Sequence, residues 1–333
     1  MRITIYGAGA IGGSLGAYLV HAGEDVLFVD KDSKHVQAIN SRGLLIDGVR
    51  GELVVASKAV LPDELRDDLE VVLLAVKSQH TRDAIRQFMS LLTGDSMVVS
   101  LQSGLNEEII AEMIGKERTI GAFINWAADY IGPGHIRLGG EGSLHIGELD
   151  GTISPRIRQL QKVLSAFLPV HITSDIWGIL WSKQVYLSFL AATALADLPV
   201  YEVLEPPEVR SVLADMVREA MQVPAALEIS MPPFDEFEPD LFQQKRDDEG
   251  MDKIAAHFRG QIKAKTGVWR DIKVRKRPTE VPSIVDTLLK KGEQLGIPLP
   301  LNHRLVDLIR ELEQGKRDMD INNFRELREQ RPA

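Results

Sequence analysis

Near its N-terminus the chain reads ITIYGAGAIGG (residues 3–13), and this stretch decides the fold. Residues 3–6 are apolar or β-prone, as in a buried strand. An amphipathic helix is predicted over residues 14–22, and a second strand over residues 26–29 stops at Asp30. The order strand, glycine loop, helix, strand and acid predicts an α/β domain, the N-terminal Rossmann unit of a doubly wound sheet.

Each glycine of the loop has a physical role in binding a dinucleotide. Gly7 permits the tight turn out of the strand, Gly9 lets a pyrophosphate approach the backbone, and Gly12 allows the helix to pack closely on the strand. The helix N-terminus then offers N–H groups and the positive end of its dipole to the phosphates. Asp30 follows at the spacing of the carboxylate that binds the ribose hydroxyls of an adenosine. Its charge favours NAD, but Lys31 could pair with a 2′-phosphate, so NADP stays open.

The rest of the first half continues the same alternation of strands and helices. Residues 71–76 form a continuous apolar run, which predicts a central parallel strand covered on both faces. Ligands bind beyond the carboxyl ends of such strands, so Lys77 is a candidate cofactor contact. A lysine of a solvent-facing loop is the alternative interpretation.

The end of the first domain is predicted from turn signals and a final helix. Segments 135–138 and 143–147 predict a hairpin that closes the sheet, and residues 154–167 predict the last helix. The predicted domains are therefore residues 1–168, which bind the dinucleotide, and residues 169–333, which form a second domain.

From Asp175 onward the pattern is helical and shows no clear strand. Within it, Lys183 has apolar residues at all four positions three and four residues away, which share its helical face. Such a lysine either extends its ammonium to water or lies at the wall of a cleft. In the second case partial burial lowers its pKa toward a value suited to proton transfer.

Two further segments of the second half carry acids. A helix is predicted from Glu280 to Leu295 with Thr279 as its N-cap, and an acid in a first turn already has a structural explanation. Residues 231–250, which are rich in Pro, Phe and acids, predict a long loop or an insertion.

Composition and length exclude several classes of protein. A chain of 333 residues predicts two domains. The absence of Cys excludes disulfides, a thiol nucleophile and a thiolate metal site, and the eight His lack metal-ligand spacing, so no metal is predicted. The sequence shows neither an export signal nor a membrane-spanning apolar run, so we expect a cytoplasmic protein. The net charge of −9 disfavours binding to nucleic acid.

The charge is nevertheless unevenly distributed. Residues 235–252 hold eight acids and two bases, and residues 253–277 hold nine bases and one acid. Either these are solvated surfaces, or some of the bases attract an anionic ligand or a partner subunit.

Taken together, these motifs resemble those of the ketopantoate reductase (2-dehydropantoate 2-reductase) family, of which the chain looks like a divergent member. The resemblance covers nearly the whole length and rests on residues 7–12, 75–77, 101–105, 133–134, 181–183 and 277–280. It implies an N-terminal Rossmann domain, an all-helical C-terminal domain and an active site between them. It also implies reduction of a 2-oxo acid by a nicotinamide cofactor, usually NADPH.

The resemblance assigns roles to individual residues. Lys183 matches the catalytic lysine, which polarises the ketone and protonates the developing alkoxide. Glu280 matches the glutamate that orients the substrate and supports that lysine. Lys77 matches a cofactor-contacting lysine, and Lys31 stands where the family often has an arginine for the 2′-phosphate.

This sequence also departs from the family pattern. Ser103 replaces the usual asparagine but keeps a hydroxyl for a cofactor or substrate contact. Leu187 and Ala191 occupy positions where members often have asparagines, so we expect a weaker preference for ketopantoate over other substrates. Members that prefer NADP lack an acid at the position of Asp30. The predicted cofactor-binding residues are Gly7, Gly9, Ala10, Ile11, Gly12, Asp30, Lys31, Lys77 and Ser103.

The leading hypothesis is an NAD(P)H-dependent reductase of a small 2-oxo acid, forming a homodimer and using Lys183 and Glu280 as catalytic residues. One alternative is a dinucleotide-binding regulatory protein with little turnover. Another is a dehydrogenase of a larger, more apolar ketone or imine.

Overall fold

The computed structural model describes residues 1–261 and 264–331, and the chain forms two compact units, Met1–Trp177 and Gly178–Ala333. The division falls somewhat after the predicted boundary at residue 168. The reason is that residues 170–172 form a strand that pairs with residues 144–146 in the sheet of the first unit. No helix in the described ranges is long and apolar enough to cross a membrane.

Twelve strands are described in the first unit. They are β1 (Arg2–Tyr6), β2 (Asp25–Val29), β3 (Leu44–Gly48), β4 (Leu53–Val55), β5 (Lys58–Val60), β6 (Leu69–Leu74), β7 (Leu92–Ser100), β8 (Thr119–Ile124), β9 (Ala127–Gly132), β10 (His135–Gly140), β11 (Leu144–Glu148) and β12 (Val170–Ile172). Its α-helices are α1 (Ala10–His21), α2 (Ser33–Arg42), α3 (Thr81–Phe88), α4 (Asn106–Ile114) and α5 (Pro155–Leu164).

The main sheet has eight strands in the order β12-β11-β8-β7-β6-β1-β2-β5. Strands β5, β2, β1, β6, β7 and β8 run parallel, and β11 is antiparallel to β8. The chain leaves β1 to one side for β2 and returns to the other side for β6, so the strand order reverses at the end of β1. This is the doubly wound arrangement predicted from the glycine loop, and it places a ligand-binding crevice at the carboxyl end of β1.

Burial on both faces explains the apolar run of β6. Val71 and Leu73 belong to one hydrophobic core, and Val72 and Leu74 belong to the core on the opposite face. The alternation follows from the two-residue period of a strand.

The predicted hairpin of segments 135–138 and 143–147 is wrong. Strand β10 pairs antiparallel with β9 and parallel with β3 in a separate sheet of order β4-β3-β10-β9, whereas β11 joins the main sheet. The hairpin is instead β9–β10, which turns at Pro133-Gly134, where Gly134 has φ +71°. The turn residues correctly indicated a reversal of the chain, but they could not show which strands pair with each other.

The second unit is helical, as predicted, over the residues that the structure describes. Its helices are α6 (Ile176–Thr193, which begins just before the unit), α7 (Val200–Val203), α8 (Pro207–Ala226), α9 (Pro239–Gln243), α10 (Asp247–Arg259), α11 (Gly267–Lys273), α12 (Val281–Leu295), α13 (Pro300–Glu313) and α14 (Asn323–Glu329).

Two predictions for this half need correction. Residues 231–250 are not simply a long loop, because they contain α9 and the start of α10, and their phenylalanines are buried. Helix α12 ends at Leu295 as predicted, but Glu280 rather than Thr279 is its N-cap residue. The hydroxyl of Thr279 still accepts a hydrogen bond from the N–H of Val281 at 3.2 Å.

Candidate functional site

In the glycine-rich segment formed by the loop after β1 and the first turn of α1, Gly7 and Gly12 stand where a larger residue does not fit. Gly7 has φ +101°, and a Cβ there would lie 2.9 Å from the carbonyl carbon of Ala75. A Cβ on Gly12 would overlap the carbonyl oxygen of Gly7 and lie 2.8 Å from Cγ2 of Ile5. These two glycines therefore bring the loop and α1 against the neighbouring strand ends.

Gly9 differs from both, because a Cβ there would meet nothing within 4 Å. Helix α1 begins at the next residue, Ala10, and the first N–H groups of a helix have no acceptor within that helix. The open space at Gly9 therefore lies beside the N–H groups that begin α1 and the positive end of the helix dipole. The arrangement fits a pyrophosphate.

Asp30 is held beside this loop at the end of β2. Its Oδ2 accepts a hydrogen bond from the N–H of Ala8, and its Oδ1 accepts one from the N–H of Asp32, both at 2.9 Å. A carboxylate oxygen can accept more than one hydrogen bond, so acceptor capacity remains for ribose hydroxyls. Lys31 is the next residue and is exposed.

His35 supports the loop and was missed by sequence reasoning. The buried ring accepts a hydrogen bond at Nδ1 from the N–H of Gly134, at 2.9 Å, so Nε2 carries the proton and donates to the carbonyl of Ala8 at 2.8 Å. The ring thereby joins the glycine loop to the β9–β10 turn. Nothing in the sequence signals this role, because the two partners lie 27 and 99 residues away.

Lys77 and Ser103 follow the neighbouring strands β6 and β7, and their loops are bonded together. The carbonyl of Ser103 accepts hydrogen bonds from the hydroxyl of Ser78 and, at 2.7 Å, from the amide of Asn106. The amide of Gln102 donates to the carbonyl of Val76 at 2.8 Å. Both candidates therefore lie at the ligand-binding edge of the sheet, on a well-connected backbone.

In the second unit, Lys183 lies half-buried in the middle of α6. Its Nζ is 5.4 Å from the ring centroid of Tyr186 and 5.5 Å from that of Phe234. Burial lowers the pKa of Lys183 to about 8, although the negative charges of Glu236 and Asp235 oppose this decrease. An ammonium with such a pKa can both donate and regain a proton near neutral pH.

Glu280 is half-buried and caps α12, the helix that contacts α6 next to this lysine. The buried amide of Gln184 donates to the carbonyl of Ile284 at 3.0 Å, and the N–H of Ile284 donates to the carbonyl of Glu280 at 3.0 Å. The residue after Lys183 is thus bonded to the first turn of the helix that Glu280 caps.

The positions one and two turns after Lys183 are apolar. Leu187 is half-buried and Ala191 is buried. Neither can donate a hydrogen bond, which agrees with the departure from the family pattern noted in the sequence.

A buried carboxylate near Lys183 is the second residue that sequence reasoning missed. Glu236 accepts a hydrogen bond from the hydroxyl of Tyr186 at 2.5 Å, and Nδ1 of His257 lies 3.5 Å from its other oxygen. The phenylalanines on either side, Phe234 and Phe237, were the available signal, because such residues tend to be buried together with what lies between them.

Comparison with known proteins decides the family. The model of the ketopantoate reductase PanE/ApbA family matches residues 3–151, and the model of its C-terminal domain matches residues 175–313. The chain belongs to this family. A 2-dehydropantoate 2-reductase of Pyrococcus abyssi is 30% identical over 95% of this chain and 100% of its own length. One from Archaeoglobus fulgidus is 29% identical over 94% of this chain and 98% of its own.

Solved structures show the same architecture. A 2-dehydropantoate 2-reductase from Geobacter metallireducens has a TM-score of 0.81 and 26% identity, covering 95% of this chain and 100% of its own. D-mandelate dehydrogenase, solved with NADH and anilino(oxo)acetate, has a TM-score of 0.83 at 24% identity, covering 95% of this chain and 99% of its own. The chain is thus an NAD(P)-dependent oxidoreductase of the ketopantoate reductase family, acting between a CH–OH group and a ketone.

Proposed function

We propose that the protein reduces a small 2-oxo acid with NAD(P)H, in the manner of a 2-dehydropantoate 2-reductase, with Lys183 as the acid. The observation that carries this proposal is the position and state of Lys183. The resemblance assigns it the role of the family's catalytic lysine, and burial lowers its pKa to about 8, so the ammonium is both present and acidic enough to give up a proton.

The dinucleotide supplies the hydride when it is bound. Gly9 and the N-terminus of α1 would hold its pyrophosphate, Asp30 its adenosine ribose, and Lys77 and Ser103 would contact it beyond β6 and β7. NAD is favoured over NADP because two backbone hydrogen bonds hold the carboxylate of Asp30, whose negative charge would repel a 2′-phosphate, whereas the neighbouring Lys31 is exposed.

In the proposed reaction the ammonium of Lys183 polarises the ketone and protonates the oxygen as the hydride reaches the carbon. This stabilises charge that develops only in the transition state. Glu280 orients the substrate and supports the lysine.

A larger, more apolar ketone or imine is the second candidate substrate, and Leu187 and Ala191 favour it. Members of the family often have amides there, and a pocket that replaces amides by apolar groups loses hydrogen bonds to a polar substrate. A regulatory protein with little turnover is less well supported, because it would need neither Lys183 nor Glu280.

The proposal is tested by oxidation of NADH and NADPH against a panel that contains 2-dehydropantoate and progressively more apolar 2-oxo acids. We expect turnover of at least one acid, and a loss of roughly 10²–10⁴-fold in the Lys183→Ala variant with dinucleotide binding retained. Lys290→Ala, an exposed lysine of α12, is the matched control. Tight dinucleotide binding without turnover of any panel member would favour the regulatory protein instead.

We also propose that the protein is a cytoplasmic homodimer, in which residues 1–168 bind the dinucleotide and residues 169–333 contact the substrate and the second subunit. Membership of the family is the support for this proposal. A structure of the same fold at 17% identity is described as a dimeric ketopantoate reductase from Staphylococcus aureus. Light scattering on the purified chain gives the mass directly, and a monomer at micromolar concentration would contradict the dimer.

A further inference from the structure

The segment between α8 and α9 places a buried acid beside Lys183, and no role in the family resemblance accounts for it. Residues 234–237 form a tight turn in which Phe234 and Phe237 exchange backbone hydrogen bonds of 3.0 and 2.7 Å. The carbonyl of Pro232 accepts a hydrogen bond from the hydroxyl of Ser182 at 2.8 Å, which attaches this segment to α6 one residue before Lys183.

The backbone of this turn is strained. Asp235 has φ +35°, a left-handed conformation that costs free energy for a residue other than glycine. Such strain persists only where the surroundings enforce it. Here the buried rings of Phe234 and Phe237 and the bond from Ser182 hold the turn, and the consequence is that Glu236 points into the interior.

Glu236 is fixed on both of its oxygens. Its side chain is 3% exposed, Oε1 accepts from the hydroxyl of Tyr186, and Oε2 faces Nδ1 of His257. Tyr186 and Phe234 are the two rings over which Nζ of Lys183 lies, at 5.4 and 5.5 Å. The carboxylate is therefore bonded to one of the two rings that lie next to the ammonium.

A buried negative charge at this place has one clear physical effect. Desolvation disfavours the ammonium of Lys183, and an opposite charge nearby favours it. We propose that Glu236 is a positioning residue for Lys183: held by Tyr186 and His257, it helps to keep the lysine in its ammonium form. This inference rests on the proposed role of Lys183. In it, the carboxylate of Glu236 provides polar support that the side chains of Leu187 and Ala191 cannot give.

Other titratable groups surround the same cluster and must be separated from Glu236. Asp235, which is exposed, lies in the turn, and Tyr186 lies on α6. His257 comes from α10, and Glu280 caps α12, the helix to which Gln184 donates. Among the residues that the structure describes around this cluster, Glu236 is the buried carboxylate that is bonded to Tyr186.

The experiment measures the pKa of Lys183 directly by NMR of the protein labelled with ¹³C at the lysine ε-carbons. The resonance is assigned by its loss in Lys183→Met. In Glu236→Gln we expect the pKa of Lys183 to fall by about one unit or more from its starting value of about 8. Glu236→Asp keeps the negative charge, so in this variant the pKa of Lys183 should lie closer to the wild-type value than in Glu236→Gln. An unchanged pKa of Lys183 in Glu236→Gln overturns the proposal.

Glu238→Gln is the matched control, because Glu238 lies two residues away and pairs with Lys253. We expect it to leave the pKa of Lys183 unchanged. An equal decrease in this variant would mean that general charge, rather than the position of Glu236, sets the pKa.

Should Glu236→Gln fold poorly, a double-mutant cycle keeps the test decisive. If the acid balances the charge of Lys183, the combined variant Lys183→Met/Glu236→Gln should unfold at a higher temperature than Glu236→Gln alone. Equal losses of stability in both backgrounds would show a purely structural acid and contradict the proposal.

Kinetics then separate this inference from the proposed function. The alkaline limb of kcat/KM for reduction should move to lower pH in Glu236→Gln, by the same amount as the pKa of Lys183. A shift in the NMR titration without turnover of any 2-oxo acid by the wild type would refute the function alone. Turnover with identical pH profiles in both proteins would refute the inference alone.

Discussion

The glycine loop of the first unit and the lysine cluster of the second are built in opposite ways. In the loop, contiguous residues present backbone N–H groups. Two glycines allow neighbouring atoms to approach closely, and Gly9 leaves open space. In the cluster, side chains far apart in sequence meet, and Tyr186 lies 50 residues from the acid it binds. The first arrangement depends on where side chains are absent, and the second depends on which charges are buried together.

A side chain at Gly12 should destabilise the first unit strongly. In Gly12→Ala the new Cβ overlaps the carbonyl oxygen of Gly7 and crowds Ile5, so α1 must shift away from β1. We expect a loss of roughly 1–3 kcal/mol in the free energy of unfolding, since backbone atoms cannot move aside as a side chain would. Chemical denaturation followed by circular dichroism measures it.

Gly9→Ala is the paired control in the same loop. Its Cβ meets no protein atom within 4 Å, so the variant should fold with nearly wild-type stability and yet lose dinucleotide affinity, because the methyl group occupies the space proposed for the pyrophosphate. If Gly9→Ala were as unstable as Gly12→Ala, the distinction between a packing glycine and a binding glycine would fail.

The second prediction tests whether the stability of the first unit depends on the protonation of a buried acid. Glu107, in the first turn of α4, is completely buried, and burial raises its pKa to about 8. Between its ordinary value and about 8 the unfolded chain releases this proton while the folded protein keeps it. Stability therefore falls as pH rises through that window, by about 1.4 kcal/mol per pH unit, and is constant above it.

Glu107→Gln should remove this slope, because glutamine resembles the protonated acid and cannot ionise. We expect the variant to unfold at a higher temperature than the wild type at pH near 8, and at a similar temperature at pH near 4. The measurement is a series of thermal melts across this range. Parallel pH profiles for the two proteins would show that Glu107 ionises freely in the folded state.

The third prediction concerns the charge that ends β2. Asp30→Asn keeps an acceptor for the N–H of Ala8 but removes the negative charge from the site of a 2′-phosphate. We expect the ratio of NADPH to NADH affinity to rise by roughly 10–100-fold, which corresponds to about 1.4–3 kcal/mol. Titration of dinucleotide fluorescence measures both affinities, with the exposed Asp25→Asn as control.

A substitution of Leu187, in the lysine cluster, should have a smaller effect. Leu187→Asn places an amide one turn after Lys183, on a half-buried position of α6. We expect the ratio of kcat/KM for 2-dehydropantoate to that for an apolar 2-oxo acid to rise by roughly tenfold, because a polar substrate gains a hydrogen bond. Leu295→Asn, at an exposed position of α12, controls for added polarity. No change in the ratio would mean that Leu187 does not face the substrate.

The parts of the site that could be predicted are those recorded in a short stretch of chain. Residues 3–30 specified the strand, loop, helix, strand and acid, because each of these elements depends on neighbours a few residues away. The helical nature of the second half could likewise be read from its periodicity. The hairpin near residue 140 was predicted wrongly, because a turn signal marks a reversal but does not choose between two sheets.

The family, the doubly wound sheet and the candidate residues Gly9, Asp30 and Lys183 could all be predicted from the amino-acid sequence. Only the tertiary structure showed what surrounds them. It placed His35 between the glycine loop and a distant turn, and it enclosed Glu236 beside Lys183. Local patterns encode backbone conformation, whereas desolvation and Coulomb interactions depend on distances in space, which only the folded chain establishes.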